Sequence, residues 1–219
     1  MTNRKRTEKG HGVEKLILTN AMRIFREDGY DNFRMATLAK SVDMPIGAIS
    51  YYFPKKTDIL QKIYTEYDTK IYELLSQYDW FNDDTSLFQH ISSSIIFYTN
   101  ILNDPASRRF FVEVAIKEVF SEFYYTHIRE KYDSFLNDYD ISISEEKFKA
   151  CILLDFGSRR EFWTPYIRNE IQLDTSDALR ITLNLMPLLL GIDHKEMSRI
   201  YIKAFEQLTF IDYSKITLI

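Results

Sequence analysis

Cysteine is almost absent from this chain: Cys151 stands alone among 219 residues. One thiol excludes an intrachain disulfide framework and any cysteine-cluster metal site. Its neighbours Ile152 and Leu153 give it the setting of a small buried hydrophobe, not of an activated nucleophile. Glycine and proline are scarce too, at six and five residues, and neither a phosphate-cradling glycine loop nor a nucleophile elbow can be found. No apolar run approaches the roughly 20 residues that span a bilayer; the longest, 181–192, is short and holds Pro187. Residues 1–12 are charged and polar with no apolar segment of signal-peptide type behind them, so the expectation is a cytoplasmic protein with no membrane contact. The histidines His11, His90, His127 and His194 are scattered. Only Glu8-x-x-His11 has the spacing of a carboxylate di-metal helix, and its required second copy is missing. No enzymatic activity, metal or cofactor is expected on these grounds.

What is present is the composition of an ordinary globular protein, 45% hydrophobic and 27% charged. The net charge of -4 hides an asymmetry. Residues 1–60 carry 11 Lys and Arg against seven Asp and Glu, and the remaining chain carries 17 against 25. A polyanion binder needs only a local positive surface, so the basic front end is the end that can meet phosphate.

The apolar spacing reads as helix nearly throughout, in about nine to ten segments. Val13, Leu16, Ile17, Ala21, Ile24 and Phe25 form the stripe of a first helix that stops at Asp28-Gly29. A short second helix carries Met35, Leu38, Ala39 and Val42. After a turn at Asp43-Met44, Pro45 opens a third, which ends near Phe53 and is closed by Pro54. A long fourth helix keeps a 3.6-residue stripe from Leu60 to Tyr78. A fifth bears Leu87, Ile91, Ser94, Ile95, Tyr98 and Leu102. Two more are expected between Pro105 and Tyr139, breaking near Ser121. Ser142 with Glu145 has the spacing of a capping box for a helix reaching Trp163 and stopping before Pro165. Asp174 and Asp193 are expected to start the last two.

Three short helices and a long one, with a tight turn between the second and third, is the layout of a helix-turn-helix whose later helix enters the major groove. Residues 17–60 also resemble the TetR/AcrR family of transcriptional regulators, through Ala21, Phe25, Gly29-Tyr30, Leu38-Ala39, Pro45 with Gly47, and Tyr52-Phe53 with Lys56 and Leu60. The resemblance covers about a quarter of the chain. It implies an all-α fold with a three-helix DNA-binding domain, here 1–58 with a basic arm, and a helical ligand-binding and dimerisation domain, 59–219. It further implies a ligand-responsive regulator of the repressor type, released from a palindromic operator, but says little about the ligand; the aromatic density of the rear helices is what suits a small lipophilic or aromatic effector. The alternative is a helical sensor or adaptor whose reading head no longer binds DNA.

The candidate DNA-binding residues are Arg34, Pro45, Gly47, Ala48, Ser50, Tyr51, Tyr52 and Lys56. Gly47 removes a side chain where backbone and duplex approach closely, or is a neutral helix glycine. Arg34 gains nothing from a helix N-terminus, which leaves a phosphate contact or a solvated surface arginine. Ser50 and Tyr51 can reach base edges and Ala48 a thymine methyl. Tyr52 and Lys56 are phosphate contacts by resemblance, although a phenol can equally pack in the core. The chain departs from the family pattern at Ser50, where a tyrosine is usual, at Asp43, where a turn glycine is common, and at Ile46, where a basic or polar residue is frequent. Arg4, Lys5, Arg6 and Lys9 can form an arm along the minor groove or a disordered terminus.

In the rear, the helix from Ala178 to Leu190 is apolar on nearly all sides. With the last helix it can form a four-helix seam with a second copy, or close a monomeric core. Tyr98, Phe111, Phe123, Phe156 and Trp163 are the candidate ligand-binding residues, drawn from an aromatic-rich stretch suited to a flat effector or simply to a core.

Overall fold

A computed structural model describes the backbone of residues 8–116 and 121–219 and the side chains of residues 10–115 and 128–219. Among the described residues every regular element is a helix: α1 Glu8–Asn32, α2 Met35–Ser41, α3 Ile46–Tyr52, α4 Lys56–Leu75, α5 Asp79–Asn82, α6 Ser86–Asn103, α7 Pro105–Ile116, α8 Ser121–Asp138, α9 Glu145–Ile167, α10 Thr175–Leu189 and α11 His194–Leu208. The fold is the all-α architecture that the spacing predicts. The helix not foreseen is α5, a single turn in the polar break after α4 that drives Phe81 into the core.

The front bundle is α1 against α2 and α4, with α2 against α3. Ile17, Ala21, Phe25, Leu38, Ile49 and Leu60 are fully buried in it. Behind it, α6 is the central rod. It touches α4, α5, α7, α8, α10 and α11, and residues Leu87–Phe88 and His90–Ile96 are all buried. A helix covered on nearly all sides cannot have the one-sided stripe of a surface helix.

Polar caps start the helices where the chain supplies them. Asp174 accepts from the Asp177 N–H and Asp193 from the Lys195 and Glu196 N–H groups, as expected. For α9 the cap is Ser144, not Ser142: Ser144 Oγ accepts from Lys147 N–H. Nor does Pro165 end α9, which runs on to Ile167. The carbonyl a proline leaves without a donor belongs to Glu161, an exposed position where water can serve it. The helix from Ala178 is less enclosed than its composition suggests, since α9, α6 and α11 cover one side while Ile181 is 53% exposed. No helix among the described residues is long and apolar enough to cross a membrane.

Candidate nucleic-acid interface and effector core

The turn between α2 and α3 is built around Asp43, which has φ +51°. Aspartate is one of the few residues other than glycine that visits the left-handed region readily, so the missing turn glycine does not prevent the turn. The Met44 N–H reaches back to the Ala39 carbonyl at 3.0 Å and closes it. Pro45 is the N-cap of α3. Ile49 is the buried anchor of α3, whereas Ile46, Gly47, Ser50 and Tyr51 face solvent. Tyr51 is 71% exposed. Nothing lies within 4 Å of the place where a Cβ on Gly47 would stand.

Of the other residues on this surface, Arg34 is exposed at the start of α2 and donates to the carbonyls of Asp31 and Phe33 at 2.7 and 2.9 Å. Ser50 Oγ donates to the Ile46 carbonyl at 3.0 Å, so its hydroxyl is partly committed to its own helix. Ala48 is half-buried, and so is Tyr52, which meets Tyr51 edge-on. Lys56 turns inward: its ammonium lies 3.4 Å from the centre of the Tyr30 ring and donates to the Tyr30 carbonyl. It ties the start of α4 to the end of α1, while Lys55 beside it remains exposed. Asp58 accepts from the Lys55 N–H at 2.7 Å and fixes the same corner. Arg4, Lys5 and Arg6 lie outside the described residues, as does the side chain of Lys9.

The front helices are locked to the body by α7. Gly29 breaks α1 with φ +81° and ψ 172°, so the helix resumes for one turn beyond the Asp28-Gly29 stop that the sequence suggests. The Glu113 carboxylate of α7 fills the break and accepts from the N–H groups of Tyr30 and Asp31. Arg109, one turn earlier, donates to the Arg26 carbonyl at 2.8 Å. Arg26 in turn grips Asp104 with two bonds of 2.8 and 3.0 Å and donates to the Ile219 carbonyl. Burial alone would raise the Asp104 pKa, but hydrogen bonds from Arg26 and Ser107 outweigh it and hold the carboxyl below its usual range.

Within the body, Tyr98 and Trp163 come together as stacked rings 4.6 Å apart, and Phe111 meets Tyr98 at 6.2 Å, edge-on. Phe156 is half-buried on the α9 side. The side chain of Phe123 lies outside the described residues.

Sequence reasoning missed the polar groups among these rings. Asp155 is wholly buried and pairs with Arg159 at 3.0 Å. Tyr132 Oη donates to Asp155 at 2.6 Å and accepts from Arg159 at 2.9 Å. His90 lies against Tyr132 and Phe135, at 5.5 Å from each ring centre. Burial first, then the charges of Arg159 and Lys131, push the His90 imidazole well below its ordinary pKa and keep it neutral. Burial disfavours the Arg159 cation as well, but Asp155 and the neighbouring tyrosines overcome this. The signal available in the sequence was an i, i+4 Asp–Arg pair four residues before Trp163, which looks the same on a solvated face.

Residues 17–63 match the family model described as bacterial regulatory proteins, tetR family. No curated protein matches the chain. Among solved structures, RolR in complex with its ligand resorcinol is 19% identical, with a TM-score of 0.61 over 90% of this chain and 96% of that one. RolR without ligand is 18% identical, with a TM-score of 0.56 over 86% and 96%. At such identities the likeness is one of fold.

Proposed function

With its front helices this chain belongs to the bacterial regulatory proteins of the tetR family, and from that premise we propose that it is a ligand-responsive DNA-binding repressor, not an enzyme. Residues 1–58 are its reading head and residues 59–219 its effector-binding and dimerising body. The observation that carries this reading is the outward face of α3. A short rod held by buried Ile49 and half-buried Tyr52 offers Ile46, Gly47, Ser50 and Tyr51 to solvent on a face with no role in the core, and it has the size to enter a major groove.

On this face Ser50 and Tyr51 read base edges, Ala48 meets a thymine methyl, and the bare backbone at Gly47 allows close approach. Pro45 sets the entry angle of α3. Arg34 and Tyr52 contact phosphates, joined by Lys55 and by Lys56 when it leaves Tyr30. Two copies pair through α10 and α11, where Ile181 and Ile202 stand 53% and 54% exposed on adjacent helices. The resulting two-fold axis matches a palindromic operator.

The effector is a small aromatic or lipophilic molecule held among Tyr98, Phe111, Phe123, Phe156 and Trp163. The resorcinol bound by RolR supports that choice. Its binding favours a body conformation in which α4 and α7 carry the two reading heads out of register.

A mobility shift with DNA upstream of the chain's own gene tests the proposal. We expect a specific complex that resorcinol or a related aromatic dissociates, formed by a dimer of the 26.1 kDa chain. Absence of any specific complex would favour the sensor or adaptor reading, for which the uncharged α3 speaks. Sedimentation of a monomer only at micromolar concentration would remove the dimer.

A further inference from the structure

The polar cluster of the body has loose ends. On α6, His90, Ser94 and Tyr98 recur every fourth residue, and on α9 so do Asp155, Arg159 and Trp163, so each set forms one stripe. Tyr132 and the Asp155–Arg159 pair link the stripes near His90, and the Tyr98–Trp163 stack links them one to two turns further on. Asp155, Arg159 and Tyr132 are bonded to one another through the Arg159 Nη2 and the Tyr132 hydroxyl, while the Arg159 Nε, 3.0 Å from Asp155, makes no hydrogen bond of its own. Neither ring nitrogen of His90, 6% exposed, has a hydrogen-bond partner among the described residues, and neither has the indole N–H of Trp163, 1% exposed. Buried polar atoms are almost always paired in folded proteins. Unpaired nitrogens on His90, Trp163 and Arg159 in one aromatic-lined cluster therefore point to a partner from outside the chain.

We propose that this cluster binds a neutral, planar hydroxyarene, with its ring against Tyr98 and Trp163 and its polar substituents bonded to His90 and to the Trp163 indole N–H. The inference deepens the effector role proposed above and rests on it for its regulatory meaning, although binding itself does not depend on DNA. Charge selects the class. Asp155 and Arg159 cancel, Lys131 is paired with Asp68 at 2.6 Å, and a ligand carboxylate would be an uncompensated charge in a desolvated site. A pure hydrocarbon would suit the aromatic walls but leave His90 and Trp163 unsatisfied. A neutral imidazole offers one donor and one acceptor, and the indole one donor, which a hydroxyl can complement. Phe111 and Phe162, which meet Tyr98 and Trp163 edge-on, are half-buried.

Three probes of similar size separate these terms in the full chain: phenol, toluene and benzoate, titrated by ligand-observed NMR. We expect phenol to bind at least tenfold more tightly than either of the others. Trp163→Phe and His90→Leu should each weaken phenol about threefold to tenfold and leave toluene unchanged or tighter. The inference is overturned if phenol does not bind, if benzoate binds as tightly as phenol, or if the variants weaken phenol and toluene alike. Should His90→Leu not fold, Trp163→Phe and the wild-type ranking decide. Operator binding without ligand is measured in parallel. Its failure with the phenol ranking intact would sink the regulator reading alone, and the reverse would sink only the ligand class.

Discussion

Replacing Gly29 with alanine attacks the join between the front helices and the body at its tightest point. With φ +81° and ψ 172°, Gly29 occupies a backbone region essentially reserved for glycine, and another residue there costs on the order of 1–3 kcal/mol. The new Cβ would also stand 2.8 and 2.9 Å from the two Glu113 carboxylate oxygens. Glu113 has a flexible side chain and can withdraw, but only by giving up the N–H groups of Tyr30 and Asp31. Tyr30 is 5% exposed, and an orphaned buried donor costs about 1–3 kcal/mol. The two effects together predict a loss of roughly 2–6 kcal/mol. At about 2–4 °C per kcal/mol for a chain of this size, Tm falls by roughly 4–24 °C, read by circular dichroism. Glu113→Ala removes the same acceptor without straining the backbone, so the double variant should cost less than the sum of the singles by about 1–3 kcal/mol. A Tm within 1 °C of wild type for Gly29→Ala, or strictly additive losses, would refute the reasoning.

The remaining predictions separate reading head, body and arm. Tyr51→Ala should leave Tm nearly unchanged, because the side chain is 71% exposed, yet weaken specific operator binding by about 1–3 kcal/mol in a mobility shift; equal affinity would remove Tyr51 from the interface. His90 is held below its ordinary pKa in the folded state, so on acidification the unfolded chain takes the proton first and stability is lost as pH falls below about 6.5. Between pH 7.5 and 5.5 that linkage costs the wild type at most about 1.4 kcal/mol, and urea melts of His90→Leu should lack this part of the loss; identical pH dependence would contradict a neutral buried imidazole. Deleting residues 2–9 should lower operator affinity and flatten its salt dependence; an unchanged salt titration would take the arm out of the complex.

The residues that came through from pattern alone are those whose meaning is local. Pro45 before Ile46–Tyr52, the apolar stripe of α4, and the caps Asp174 and Asp193 each act within about one helical turn, where spacing along the chain and proximity in space coincide. For the same reason the helix-turn-helix is legible in the sequence. Where two local signals competed, only packing chose between them. Ser144 takes the cap for which Ser142 has the spacing, and Pro165 is carried inside α9, where the carbonyl it strands belongs to exposed Glu161.

Tertiary structure alone decided which polar side chains are deprived of water. His90, Tyr132 and Asp155 are each more than 20 residues from the next, and Glu113 sits 83 positions from the Tyr30 N–H that it caps. Lys56, expected at a phosphate by resemblance, lies across the Tyr30 ring 26 residues away. A helix-forming pattern states which face is apolar, but a charged residue at a helical spacing looks the same whether its face meets solvent or another helix. The burial that makes His90 neutral and sets Asp155 against Arg159 arises only when α6, α8 and α9 close on one another, because desolvation belongs to the assembled interior and to no single segment.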